Sequence, residues 1–130
     1  MKKKLLSNSK FLLSLYLIYM GIKYKYFVKK KSYSQFSEDL IVKEIFGNFV
    51  GKYVDIGCFH PIMHSNTAIL YNRGWTGINI DINQTSIDLF NIIRKKDQNF
   101  CAAISNQNQK VTSYIDNNFS SINSINKNFF

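Results

Sequence analysis

Two acids stand where short apolar stretches run out. Tyr53-Val54-Asp55-Ile56-Gly57-Cys58-Phe59-His60-Pro61 carries Asp55 two residues before a glycine, and Trp75-Thr76-Gly77-Ile78-Asn79-Ile80-Asp81 ends on Asp81. A carboxylate at the tip of a strand can accept hydrogen bonds from both hydroxyls of a ribose, the usual way a nucleoside is held across an α/β sheet. Asp81 is read in that role. Asp55 is placed to orient a cationic or amino group, directly or through water, and Gly57 lets a ligand approach the backbone closely. A pyrophosphate is not indicated, because the turn that cradles one needs G-x-G-x-x-G and Gly57 is followed by Cys58, Phe59, His60 and Pro61. A nucleoside without a pyrophosphate fits better, and S-adenosylmethionine is the common one. The plainer alternative is that Asp55 and Asp81 cap neighbouring loops.

Other chemistry is weakly supported. Cys58, His60 and His64 fall close together, but a structural zinc site takes four ligands in fixed geometry, so no metal is expected. Cys58 and Cys101 sit in two stretches that read as buried strand ends, with no C-x-x-C and no spaced partners. Reduced, cytoplasmic thiols are the default for such a pair. Cys58 is read as filling a small space beside the ligand.

The elements that must carry these residues repeat one pattern. Ser34 is a candidate N-cap, Glu38 and Asp39 face the positive end of the helix, and Phe36, Leu40, Ile41, Ile45 and Phe46 recur near helical spacing up to Gly47. A buried strand over residues 53–56 follows. Ser65 or Asn66 is expected to cap a second helix holding Ala68, Ile69, Leu70 and Tyr71, closed by Gly74. Residues 75–81 alternate into a second strand. Thr85-Ser86-Ile87-Asp88 matches a capping box in its Asp form, Ile87, Leu89, Phe90 and Ile93 give one broad apolar face, and Lys95 and Lys96 are expected in the last turn. Residues 100–105 read as a third buried strand, 106–109 as a polar turn and 111–115 as a further strand. From Asp116 onward no period emerges. Strands alternating with helices imply right-handed crossovers and a parallel sheet, an α/β class.

The chain has 130 residues and a net charge of +9, but the charge is localised. Residues 1–31 hold nine lysines and no acid; the eight remaining basic residues match the eight acids of the body. No basic surface beyond this arm points to nucleic acid. Lys2, Lys3 and Lys4 precede an apolar run over residues 11–22, and Lys23, Lys25, Lys29, Lys30 and Lys31 follow it. The run is short of the roughly 20 residues of a spanning helix, lacks a small-residue cleavage site, and resembles a signal-peptide h-region or an interfacial helix. If Tyr24, Tyr26, Phe27 and Val28 extend it, lysine snorkelling would let it either span or lie flat, so membrane contact of some kind is expected. The alternative is a helix packed on the body. The division is an arm over 1–31 and a body over 32–130.

The residues also carry a family resemblance. Tyr33-Ser34-Gln35-Phe36-Ser37-Glu38-Asp39-Leu40, Tyr53-Val54-Asp55-Ile56-Gly57, His60-Pro61, Ser65-Asn66-Thr67, Gly74-Trp75-Thr76-Gly77-Ile78-Asn79-Ile80-Asp81 and Ala103-Ile104-Ser105 resemble, in order and spacing, the FkbM-type S-adenosylmethionine-dependent methyltransferases. The resemblance spans roughly residues 33–115. It implies a Rossmann-like methyltransferase fold, methyl transfer usually to oxygen, and cofactor contacts at Asp55, Gly57 and Asp81, with the adjoining Cys58 and Ile82. Cys58-Phe59 stand where the family often has Ala-Asn. No later segment matches the family's Lys-Ile-Asp-x-Glu-Gly-type strand, so the expectation is the N-terminal, cofactor-binding half of the sheet, in a truncated or incomplete enzyme whose catalytic residues and methyl acceptor are unknown. Such a half sheet is expected to self-associate or to need a second-half partner. The competing reading is a non-catalytic, membrane-associated remnant or partner-binding module.

Overall fold

The computed structural model describes residues 10–26, 30–115, 120–126 and 128. Its elements in chain order are α1 (Lys10–Tyr26), α2 (Glu38–Phe46), β1 (Lys52–Ile56), α3 (Ala68–Asn72), β2 (Thr76–Asp81), α4 (Gln84–Ile93), β3 (Gln98–Cys101), β4 (Tyr114–Ile115) and β5 (Asn123–Ser124). The class is α/β, with a three-stranded parallel sheet in the order β1-β2-β3 and a separate antiparallel pair, β4-β5. Such a sheet is compatible with a fragment of a Rossmann-like fold.

Register separates the two faces of the sheet. Val54 lies beside Ile78 and Ile56 beside Ile80, while Ile80 pairs Phe100. On the other face Tyr53 lies beside Gly77, Asp55 beside Asn79, and Asn79 beside Asn99. Gly77 permits that packing: a Cβ there would come 2.4 Å from the Tyr53 ring. The polar face is the covered one. Asn79 is fully buried, whereas Val54, Ile56 and Phe100 on the apolar face are 61%, 62% and 49% exposed. The expectation of buried strands over 53–56 and 100–105 is therefore corrected: β1 is an edge strand, β3 begins two residues earlier and ends at Cys101, and Cys101 is exposed. Sequence alone reads apolar β-branched residues as buried, but among the described residues no helix covers the side on which these three project.

Several helix boundaries also move. The N-cap of α4 is Asn83, whose side chain accepts from the Thr85 amide at 2.9 Å, so the expected capping box is not the start signal. Asp88 instead accepts from Gln84 on the exposed side. The helix ends at Ile93, which places Lys95 and Lys96 in the following turn. At α2 the N-cap position is Ser37, in the left-handed region at φ 69°, and Ser34 serves another purpose. Its Oγ, with Ser32 Oγ and the Tyr33 amide, donates to the buried Asp39 carboxylate at 2.8, 2.6 and 2.7 Å. Burial raises the Asp39 carboxyl, but these bonds together outweigh it and hold the group below its usual value. At α3 the N-cap position is Thr67, not Ser65 or Asn66, and its side chain makes no capping bond; Ser65 Oγ, in the turn before it, accepts from the Ala68 amide, and Gly74 closes the turn at φ 94° as expected. Residues 111–113 are not strand; only Tyr114–Ile115 pair, with Asn123–Ser124.

Helix α1, the described helical stretch of the arm, packs on the body. Leu17 and Met20 of α1 are buried against Ile62 and Leu89, with Ile92 and Ile93 packed around them. Gly21 allows that closeness, since a Cβ there would lie 2.5 Å from Ile92 Cγ2. Among the described residues no helix is long and apolar enough to cross a membrane. Lys2 to Lys4, Lys29 and the expected strand's neighbours at 116–119 lie outside the described residues.

Candidate functional site: a cleft at the carboxyl ends of the strands

All three parallel strands end at one cleft of about 400 Å³. Its walls are Ile56, Gly57 and Phe59 at and after the end of β1, Ile80, Asp81 and Ile82 at the end of β2, Ala102 to Ile104 after β3, and Ser121 with residues 123–125 of the tail. The volume is in the range of small-molecule sites, which are mostly apolar with a few polar groups that fix orientation. The crevice outside the carboxyl ends of an open α/β sheet is where ligands of such folds bind.

Of the expected contact residues, Gly57, Asp81 and Ile82 share this cleft. Gly57 adopts φ 71° and nothing lies within 4 Å of the place a Cβ would occupy, so the backbone there is open to close approach. The amides of Gly57 and Cys58 both donate to the Ile80 carbonyl, at 2.8 and 3.2 Å, which folds the chain leaving β1 over the end of β2. Asp81 is buried, and its two oxygens accept from the Phe59 and Asn83 amides at 2.9 and 2.8 Å. Loop capping, the plainer reading of Asp81, is thus a geometry it has. An ionised carboxylate offers about four acceptor positions, and these bonds use two.

Asp55 and Cys58 lie elsewhere. The Asp55 carboxylate accepts from Thr67 Oγ1 at 2.6 Å, within the covered face of the sheet. Burial raises its carboxyl above the usual value, against the Thr67 bond and the Arg94 charge, which pull it down. Cys58 is buried against Ile87 and Phe90, and burial, with Asp55 and Asp81 adding to it, pushes its thiol far up. A thiol so held is protonated at neutral pH and is no nucleophile.

The side chain that sequence reasoning missed is Arg94. It follows α4 directly in the run Ile93-Arg94-Lys95-Lys96, where a cation normally faces water at a helix end, yet it is fully buried. Its guanidinium donates to the Pro61 carbonyl at 3.2 and 2.7 Å, to Thr67 Oγ1 at 2.7 Å, to Ser65 Oγ at 2.8 Å and to Tyr53 Oη at 3.1 Å. Thr67 relays this charge to Asp55. Tyr53 also donates to Asp97, which in turn accepts from the Gly77 amide and the Asn79 side chain. Phe59 was likewise missed: its φ of 50° is the left-handed region, and its amide holds Asp81 while it lines the cleft.

The histidines are not placed as a metal site. His60 Nδ1 accepts from the Ile62 and Met63 amides, both at 3.0 Å. His64 is exposed, and its ring stacks on Phe59 at 6.4 Å between centroids. Among the described residues no three His, Cys, Asp or Glu side chains converge as metal ligands.

Comparison with protein families, curated proteins and solved structures finds no match for this chain.

Proposed function

We propose that the cleft at the strand ends binds the nucleoside of S-adenosylmethionine, and that the chain is the cofactor-binding part of an FkbM-type methyltransferase with a Rossmann-like methyltransferase fold. The observation that carries the reading is the meeting of Asp81, Gly57 and Ile82 in one mostly apolar cleft at the carboxyl ends of parallel strands. The residues fit the group. Asp81 keeps acceptor positions for two ribose hydroxyls, open space beside Gly57 admits the ligand to the backbone, and Ile56, Ile80 and Ile82 offer an apolar surface to a base. Bound there, S-adenosylmethionine supplies an electrophilic methyl on a sulfonium for transfer to an acceptor oxygen. The protein's own residues bind and orient: the Phe59 and Asn83 amides fix the Asp81 carboxylate before any ligand arrives, which limits the ordering cost of binding.

A second reading follows from what lines the cleft. Asp81 is the one titratable side chain among its lining residues. Among the described lining residues the other polar side chains are Ser121, Asn123 and Ser124, with no second carboxylate, histidine or cysteine, which favours a non-catalytic binding module as the second reading.

Titration calorimetry of the full chain with S-adenosylmethionine tests the proposal. Asp81→Ala is expected to weaken binding by about 1.5–3 kcal/mol, the range for hydrogen bonds to a charged group. Asp81→Asn, which keeps an acceptor for one backbone amide, separates ribose contact from loop support. Equal affinity in wild type and both variants would remove Asp81 from the site, and absence of binding by the folded wild type would overturn the nucleoside reading. Methyl transfer to an oxygen acceptor by the chain alone would eliminate the binding-module reading.

A further inference from the structure

We propose that the outward face of α1 seats this protein on an anionic lipid surface, with the helix lying flat in the interface. The helix carries two apolar stripes where a surface helix needs one. Leu13, Leu17 and Met20 face the body, packed against α4 and Ile62. Phe11, Leu15, Ile18 and Ile22, spaced on the opposite side, are all exposed, with Ile18 at 50% and Phe11 at 71%. Burying the first stripe accounts for the fold, and leaves the second without a role in it.

Charge selects the occupant. The outward stripe lies in a segment, residues 1–31, with nine lysines and no acid, placed both before Phe11 and after Ile22. Lysines flanking an apolar face are attracted to anionic headgroups while the apolar side chains enter the acyl boundary. A second copy is disfavoured at this face, because stacking two such arms would bring two sets of lysines together. Spanning is disfavoured too. Leu17 and Met20 are buried against Ile62 and Leu89, and crossing a bilayer would strip α1 from that packing.

The test is co-sedimentation of the full chain with phosphatidylcholine vesicles, with and without phosphatidylglycerol, at low and high salt. Wild type is expected to pellet only with the phosphatidylglycerol vesicles and less so at high salt. Ile18→Asp and, as an independent variant, Ile22→Asp are expected to stay in the supernatant while keeping the wild-type circular dichroism. Ile45→Asp, on the exposed side of α2, is expected to pellet as wild type does. Equal pelleting with neutral vesicles, no pelleting at all, or folded Ile18→Asp and Ile22→Asp proteins that pellet like wild type would overturn the proposal. So would a vesicle-free dimer of the wild type that either aspartate disperses, since a second copy would then be the occupant.

Discussion

His60 makes the stability of this chain depend on pH in a predictable direction. Burial is the largest cause that lowers its pKa, with the positive charges of Arg94, His64 and Lys30 adding to it, from 6.5 to about 3. The geometry agrees, since Nδ1 accepts two backbone amides and the neutral ring must therefore carry its proton on Nε2. Below pH 6.5 the unfolded chain takes up a proton that the folded chain refuses. Stability contributed by the neutral ring is complete above that pH and falls as pH drops toward 3, by about 1.4 kcal/mol per unit. At pH 4.5 the loss amounts to roughly 3 kcal/mol, a large part of the roughly 5–15 kcal/mol typical of a domain. Asp39, held low, loses its contribution only below its unfolded value of 3.8, and Asp55, held high, works in the opposite sense. Both are common to wild type and a variant, so the difference isolates His60. In His60→Asn the Asn Oδ1 can replace Nδ1 as acceptor for Ile62 and Met63 without titrating. Urea unfolding from pH 7 to 4.5 should show the wild type losing stability more steeply than the variant by about one proton's worth. Parallel curves would refute the reasoning.

Three further outcomes follow from the same structure. Arg94→Met should destabilise the chain by about 3–5 kcal/mol in urea unfolding, because it strips donors from Pro61, Ser65 and Thr67 and leaves Asp55 uncompensated; a cost under about 1 kcal/mol would show the network to be dispensable. Arg94→Lys should recover little, since one ammonium cannot reach the same set of acceptors. Amides of β1 should exchange with deuterium faster than those of β2, which is paired on both sides; equal protection would mean that the β1 edge is covered in solution. Exposed Cys101 should react with a thiol reagent in the folded protein, and buried Cys58 only on unfolding; modification of both at one rate would contradict the packing of Cys58 against Phe90.

The legible parts of the sequence were those set by local backbone chemistry. Gly57 and Pro61 bracket a real strand-to-loop corner, and Gly47 and Gly74 close their helices at positive φ. Alternating strand and helix patterns likewise led to a parallel sheet. What stayed hidden depended on contacts distant in sequence. Nothing local distinguishes Arg94 from Lys95 and Lys96, because its burial is created by Pro61, Ser65 and Thr67 about thirty residues earlier. The capping box at Thr85 lost to Asn83 for a related reason: Asp81 fixes the Asn83 amide, so the helix starts where the turn after β2 ends. Of the site, Asp81 and Gly57 stood out because an acid and a glycine at strand ends have few structural uses, whereas Phe59 carried no signal in its type.

The inverted polarity of the sheet ties the cleft to its surroundings. A parallel sheet usually buries both faces, and here the buried one is lined by Asp55, Asn79 and Tyr53, made tolerable by the Arg94 and Asp97 hydrogen bonds. The same Arg94 bonds hold Pro61 and Ser65, and so fix the loop that begins with Gly57 and Phe59, one wall of the cleft. On the opposite face Ile56 and Ile80 belong both to the uncovered apolar surface and to the cleft lining. A layer laid over Val54, Ile56 and Phe100 would therefore also close the cleft from that side, removing apolar area from water at roughly 25 cal/mol per Å². On the proposed reading, a nucleoside packed on Ile56 and Ile80 and a cover over that face would each favour the other by the same factor.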